Sequence, residues 1–204
     1  RRRRSRRRKG RGSYGLSRLK KWLLGLCFLF LAVALWVVFS PAPQGIPVLE
    51  YHEVAESVDD DAYVYNVPPE EFRQQLDYLQ QQGYTTISML DFMKAKRGKM
   101  ELPAKPIILT FDDGYEDNYV NAYPILKKYG FKATIFVVTS FLDKNKKGYM
   151  SWDQAREMDA NGISIQSHTV DHKSMTDLTD DQLRMELVDS KKKAEKELGH
   201  PVNY

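Results

Sequence analysis

This sequence predicts an α/β domain of parallel β-α units, preceded by one membrane-spanning helix. Three observations predict it. An uncharged apolar run of eighteen residues, Trp22–Phe39, follows a basic head. From residue 46 onward, short apolar runs alternate with amphipathic stretches, the pattern of strands spaced by helices. Acidic and imidazole side chains collect directly after two of the apolar runs, in "FDDG" (111–114) and "SHTVDH" (167–172). The C-terminal ends of parallel strands are where such folds place their chemistry.

Eighteen residues at about 1.5 Å each span roughly 27 Å as a helix, enough for a bilayer core. Trp22 and Trp36 near the ends of the run are placed as interfacial anchors. Residues 1–21 should stay cytoplasmic by the positive-inside rule, which puts the chain after residue 40 outside the cell or in the periplasm. A cleaved signal peptide has a similar outline. However, "SPAPQG" (Ser40–Gly45) sets prolines where a small-residue cleavage site belongs. The expectation is an uncleaved signal anchor at 22–39 in the cell membrane and a stiff linker at 40–45. The basic head could also hold anionic lipid head groups.

The net charge of +4 suggests a nucleic-acid partner, but its distribution excludes one. Residues 1–49 hold 12 of the 31 Lys and Arg and none of the 27 Asp and Glu, leaving 19 basic against 27 acidic residues in 50–204. A nucleic-acid footprint needs a basic face on the fold itself. The single cysteine, Cys27, lies in the apolar run, so no intrachain disulfide can form.

In the outer domain, "IPVLEY" (46–51) reads as a strand. "PEEFRQQLDYLQQQG" (69–83) reads as a helix with Phe72, Leu76 and Leu79 on one face, Pro and Glu at its start and Gly at its stop. A short strand (84–87) and a helix (88–96) follow, then a buried strand, "PIILTF" (106–111). The stretch 116–130 is mostly helical, though Pro124 must kink it or start it late. "KATIFVV" (132–138) is a buried strand and "ISIQSH" (163–168) another. Two helices, 151–162 and 179–199, open with capping boxes, Ser151 to Gln154 and Thr179 to Gln182. "VNY" (202–204) reads as the first residues of a further strand. Parallel β-α units of this kind build an α/β barrel or an open doubly wound sheet.

"HTVDH" carries two of the four histidines, His168 and His172. In a helical turn, positions i and i+4 share a face, so both imidazoles could converge on one ion. Neutral imidazoles with a carboxylate are a common zinc ligand set that leaves positions open for water and substrate. Two adjacent acids, Asp112 and Asp113, would then divide the work. One ligates the cation, and the other takes a proton from water whose pKa the cation lowers toward ~7. Gly114 would let the turn present both side chains without a Cβ clash.

"TFDDG" followed about fifty residues later by "SHTVDH" resembles the NodB-homology polysaccharide deacetylases, carbohydrate esterase family 4. The resemblance covers roughly 46–204. It implies a deformed (β/α) barrel, here incomplete at its C-terminal end, and a divalent metal, usually zinc. It implies removal of acetyl groups from a sugar polymer such as poly-N-acetylglucosamine or peptidoglycan. It assigns Asp112 as general base and Asp113, His168 and His172 as metal ligands. "IPVLEYHEV" (46–54) resembles the first strand of a permuted branch that includes poly-N-acetylglucosamine deacetylases, where a histidine enters the site, so His52 is the candidate general acid. His200, in a helix-exit turn, reads as structural. The family's aromatic-proline, tryptophan and C-terminal histidine motifs do not appear in this sequence. Two other readings are an inactive glycan-binding module of the same fold and a phosphate-ester hydrolase. The acidic balance of residues 50–204 disfavours the anionic substrate of the latter.

Overall fold

The computed structural model describes residues 13–39, 45–57 and 64–203. The chain divides into two compact units, 1–45 and 46–204. The first contains one helix, α1 (Ser13–Phe39). Its side chains are described from Lys20 to Trp36, and the large apolar ones there are exposed, Trp22 by 74 % and Phe30 by 79 %. Among the described residues no helix is long and apolar enough to cross a membrane. The expected span, 22–39, runs beyond the described side chains, and the linker (40–44) lies outside the described residues.

The second unit is an all-parallel sheet covered by helices. Its strands are β1 (Val48–Tyr51), β2 (Thr85–Thr86), β3 (Pro106–Phe111), β4 (Thr134–Val137) and β5 (Ser164–Ser167). They run in the order β1-β3-β4-β5, with β2 paired to the start of β3. Among the described residues β1 and β5 do not pair, so the sheet is open. β3 occupies the range its sequence predicts. Its residues from Ile107 to Phe111 are all buried, as expected of a parallel strand covered on both faces.

Successive strand residues point to opposite faces, and this alternation aims the site. Tyr51 and Phe111 are in register on β1 and β3 and their rings stack at 5.2 Å. Phe72 of helix α2 (Pro69–Gln81) meets both edge-on at 5.1 and 5.8 Å. With those two rings fixed in the core, the next residues, His52 and Asp112, turn to the other face. Leu76 and Leu79 complete the buried stripe of α2 at the i, i+4, i+7 spacing of a half-buried helix.

The remaining helices are α3 (Met89–Lys96), α4 (Tyr123–Tyr129), α5 (Thr139–Asp143), α6 (Trp152–Ala160) and α7 (Asp180–Leu198). Both predicted capping boxes form, and Ser88 with Asp91 makes a third. Pro124 acts as expected. It lacks the N–H that an α-turn would use, so Asn118–Ala122 widens into a π-turn and α4 begins at Tyr123 with Pro124 in its first turn. The strand expected at 202–204 is not formed in its described part. The N–H of Val202 donates to Glu195 Oε1 and that of Asn203 to Gln166 Oε1, both at 3.1 Å, so side chains take the donors a ladder would need.

Candidate active site

β3 ends at Phe111, and the N–H of Asp112 still continues the ladder by donating to the Tyr51 carbonyl at 2.9 Å. The chain then enters the left-handed region twice in succession, at Asp113 (φ 70°) and Gly114 (φ 76°). Aspartate tolerates that region. Gly114 is required there, because a Cβ would lie 2.9 Å from Val137 Cγ1 and 3.2 Å from Val137 Cβ. The turn is fixed from the far side by Met150 N–H donating to the Gly114 carbonyl at 3.0 Å.

The two carboxylates therefore diverge. Asp113 is 8 % exposed, and its Oδ1 lies 3.4 Å from His168 Nε2 and 3.3 Å from His172 Nε2. The two imidazoles stand 5.0 Å apart, centre to centre. Their convergence does not come from a helical turn, contrary to the expectation. Residues 168–174 form no helix, and Thr169 (φ 69°) and His172 (φ 56°) both adopt left-handed backbone. Fixed points hold this loop. Thr139 and Ser140 N–H donate to the Thr169 and Val170 carbonyls at 3.2 and 3.0 Å. Glu186 of α7, 4 % exposed, accepts Val170 N–H and Asp171 N–H on one oxygen, both at 2.8 Å. Glu186 holds the loop that carries both histidines, and sequence reasoning missed it.

The trio fits a metal ion. Ligands about 2.0–2.2 Å from a tetrahedral zinc stand roughly 3.4 Å from each other, and the Asp113–imidazole separations are 3.3 and 3.4 Å. Asp113 Oδ1 is buried and accepts no hydrogen bond, since neither imidazole makes one at that geometry. A buried carboxylate oxygen left so is costly unless a cation faces it.

Asp112 and His52 lie together beside this trio. Ligand atoms of Glu50, His52 and Asp112 fall within 4.8 Å of one another, as do those of Asp113, His168 and His172. Burial pushes the Asp112 carboxyl up. His168 and His52 oppose that shift, whereas Glu50 and Asp113 add to it. The His52 carbonyl accepts from Nδ2 of the fully buried Asn118 at 2.7 Å, and its ring lies 5.2 Å from that of Tyr65. His200 is elsewhere, where its Nε2 meets Asp159 Oδ2 at 2.7 Å between α7 and α6. A concavity of about 930 Å³ between β1 and α2 does not include the trio.

The model of the family described as polysaccharide deacetylase matches residues 99–204. The chain belongs to the polysaccharide deacetylase family. Among relatives, YxkH of Bacillus subtilis (strain 168), which carries the same family name, is 38% identical over 150 residues, 74% of this chain and 51% of that protein. The poly-beta-1,6-N-acetyl-D-glucosamine N-deacetylase of Escherichia coli (strain K12) is 28% identical over 145 residues, 64% of this chain and 21% of that protein. The chain thus spans about half the length of the first and a fifth of the second. Among solved structures, the Streptococcus pyogenes deacetylase PplD in complex with acetate superposes with a TM-score of 0.72 at 33% identity, covering 79% of this chain and 72% of that one. The polysaccharide deacetylase fold is therefore the frame on which these residues stand.

Proposed function

We propose that this deacetylase-family chain is a zinc-dependent hydrolase that removes N-acetyl groups from an amino-sugar polymer, of the poly-N-acetylglucosamine or peptidoglycan type. The observation that carries this reading is the convergence of Asp113, His168 and His172 with Asp112 placed beside them and outside the trio. The substrate class follows the E. coli relative's name.

Asp113, His168 and His172 would hold the divalent cation, which lowers the pKa of water and polarises a carbonyl when bound. Asp112 removes the proton of the attacking water. Its raised proton affinity, due first to burial, suits a base that must work near neutral pH. Water oxygen bonds to the acetyl carbon, the carbon–nitrogen bond breaks, and the electron pair leaves with nitrogen. His52, on the adjoining strand end, gives that nitrogen its proton, so that acetate and a free amine depart. The backbone of His52 is held by Asn118, which fixes where the donor stands.

In the same reading, 22–39 anchors the protein in the cell membrane as a single pass, with 1–21 cytoplasmic, 40–45 as linker and 46–204 outside. Its support is the uncharged apolar run behind a basic head and the exposure of the α1 side chains.

The test is acetate release from an N-acetylglucosamine oligomer by the purified full chain, chelated and then supplied with zinc, beside Asp112→Asn. Release that returns with zinc and is lost in Asp112→Asn is expected. A folded chain that binds the oligomer but releases no acetate under any added metal would overturn hydrolysis and leave a glycan-binding module.

A further inference from the structure

The adjacent aspartates enter two separate groups of side chains. Asp113 faces two imidazoles, while Asp112 faces His52 and Glu50. The second group is built as deliberately as the first. Glu50 on β1 and His52 just beyond its end are two apart, the spacing that puts strand residues on one face. The β1–β3 register, Glu50 with Thr110 and Tyr51 with Phe111, sets His52 opposite Asp112 at the strand ends. Asn118 grips the His52 carbonyl at 2.7 Å, and Asp117 Oδ1 accepts Val54 N–H at 2.9 Å. The charged groups bearing on Asp112 are His168, Glu50, His52 and Asp113, with no lysine or arginine among them. Two carboxylates and an imidazole therefore meet without a permanent cation to balance them.

We propose that Glu50, His52 and Asp112 form a second, weaker divalent-cation site, and that an ion bound there stops deacetylation by occupying the proposed base and acid together. One imidazole and two carboxylates suit zinc, cobalt or manganese. The site is weaker than the Asp113 trio because it offers one imidazole where the trio offers two, and imidazole is a favoured zinc ligand. The inhibitory consequence rests on the roles proposed above for Asp112 and His52; the binding itself does not. Deacetylation would then rise and fall with metal concentration, as the first site fills and then the second.

The chelated full chain is titrated with Co2+ and followed by calorimetry and visible absorption, beside Glu50→Gln and Asp113→Asn. The wild type is expected to show a tight and a weak class. Glu50→Gln, at an exposed position, is expected to keep the tight class and weaken the other by about tenfold or more. Asp113→Asn is expected to do the reverse. In parallel, the zinc concentration that halves acetate release should move upward by about tenfold or more in Glu50→Gln. A single class in the wild type overturns the second site, and so does a weak class untouched by Glu50→Gln, which is adventitious surface binding. A tight class untouched by Asp113→Asn would instead overturn the proposed ligand trio, without bearing on the Glu50 result.

Discussion

Glu186 gives the sharpest test of how the histidine loop is held. Its carboxylate accepts two main-chain N–H groups at 2.8 Å and Lys173 Nζ at 3.0 Å. It is the side chain through which α7 grips the segment between His168 and His172. Glu186→Ala would strand both donors. A buried donor left unmade costs about 1–3 kcal/mol. Val170 and Asp171 are only half-buried, so water recovers part of this and about 1 kcal/mol each is the better figure. The half-exposed Lys173 pair adds less than about 1 kcal/mol. The sum is about 2–3 kcal/mol, or roughly 5–10 °C in Tm for a domain of this size.

The consequence for the metal is separable from that loss. Partners that orient ligands typically change metal affinity by about 10–100-fold when removed, and Co2+ titration of the full chain should show a loss in that range for Glu186→Ala. Ala194→Gly, on the same helix at a fully buried position, should lower Tm by a similar few degrees with Co2+ affinity unchanged. Glu186→Gln keeps an oxygen for both amides but turns an NH2 toward Lys173, so a smaller loss is expected. Burial raises the Glu186 carboxyl, but the Asp171 N–H, Lys173 and the Val170 N–H outweigh it and leave it below the ordinary glutamate value. That stabilisation is full above the unfolded pKa and is lost as pH falls through the folded one. The Tm gap between wild type and Glu186→Gln should therefore close on acidification. Wild-type Co2+ affinity in Glu186→Ala, or equal affinity losses in Glu186→Ala and Ala194→Gly, would refute the reasoning.

Other substitutions probe the rest of the frame. Gly114→Ala forces a Cβ onto Val137 and an L-residue into φ 76°, so a loss of at least about 1–2 kcal/mol is expected, read as a lower Tm; an unchanged Tm would refute the close approach. Asn118→Ala frees the His52 carbonyl and should lower kcat for acetate release more than it raises KM; an unchanged kcat would remove His52 positioning from the account. His200 is held protonated above its ordinary value, by Asp159 first and then by the Pro201 carbonyl. Its contribution is full below the unfolded pKa and lost as pH rises through the folded one. The Tm difference between wild type and His200→Ala should therefore be largest in acid and shrink toward alkaline pH; a constant difference would refute it.

Much of the frame was legible in the sequence because it rests on local signals. The apolar run Pro106–Phe111 marks β3 to the residue, and Ser151 and Thr179 mark two helix starts. What escaped depends on distant partners or unusual backbone. Helix α5 begins directly after β4 with Val138 as its cap and no capping side chain, so nothing local announces it. Ser88–Asp91 caps α3 with an aspartate where glutamate or glutamine is the usual signal. Glu186 lies in a charged helix and resembles a solvent-facing residue until α7 is docked against the loop. Glu50 likewise reads as the outward residue of an alternating strand.

The two histidines converge on Asp113 by a different local route from the one their spacing suggests. A four-residue separation suits a helical turn, yet the turn here is made by left-handed backbone at Thr169 and His172, held by Glu186 and by the N–H groups of α5. The same device separates the two aspartates. With φ 70° at Asp113, the second carboxylate leaves the line of β3 and turns toward the histidine loop, while the first stays in register beside β1. Side-by-side acids in the chain thus become members of two different charge clusters in the fold, Asp113 with two imidazoles and Asp112 with one. A one-residue change of backbone hand is what would let one carboxylate take the proposed ligand role and the other the proposed role of base.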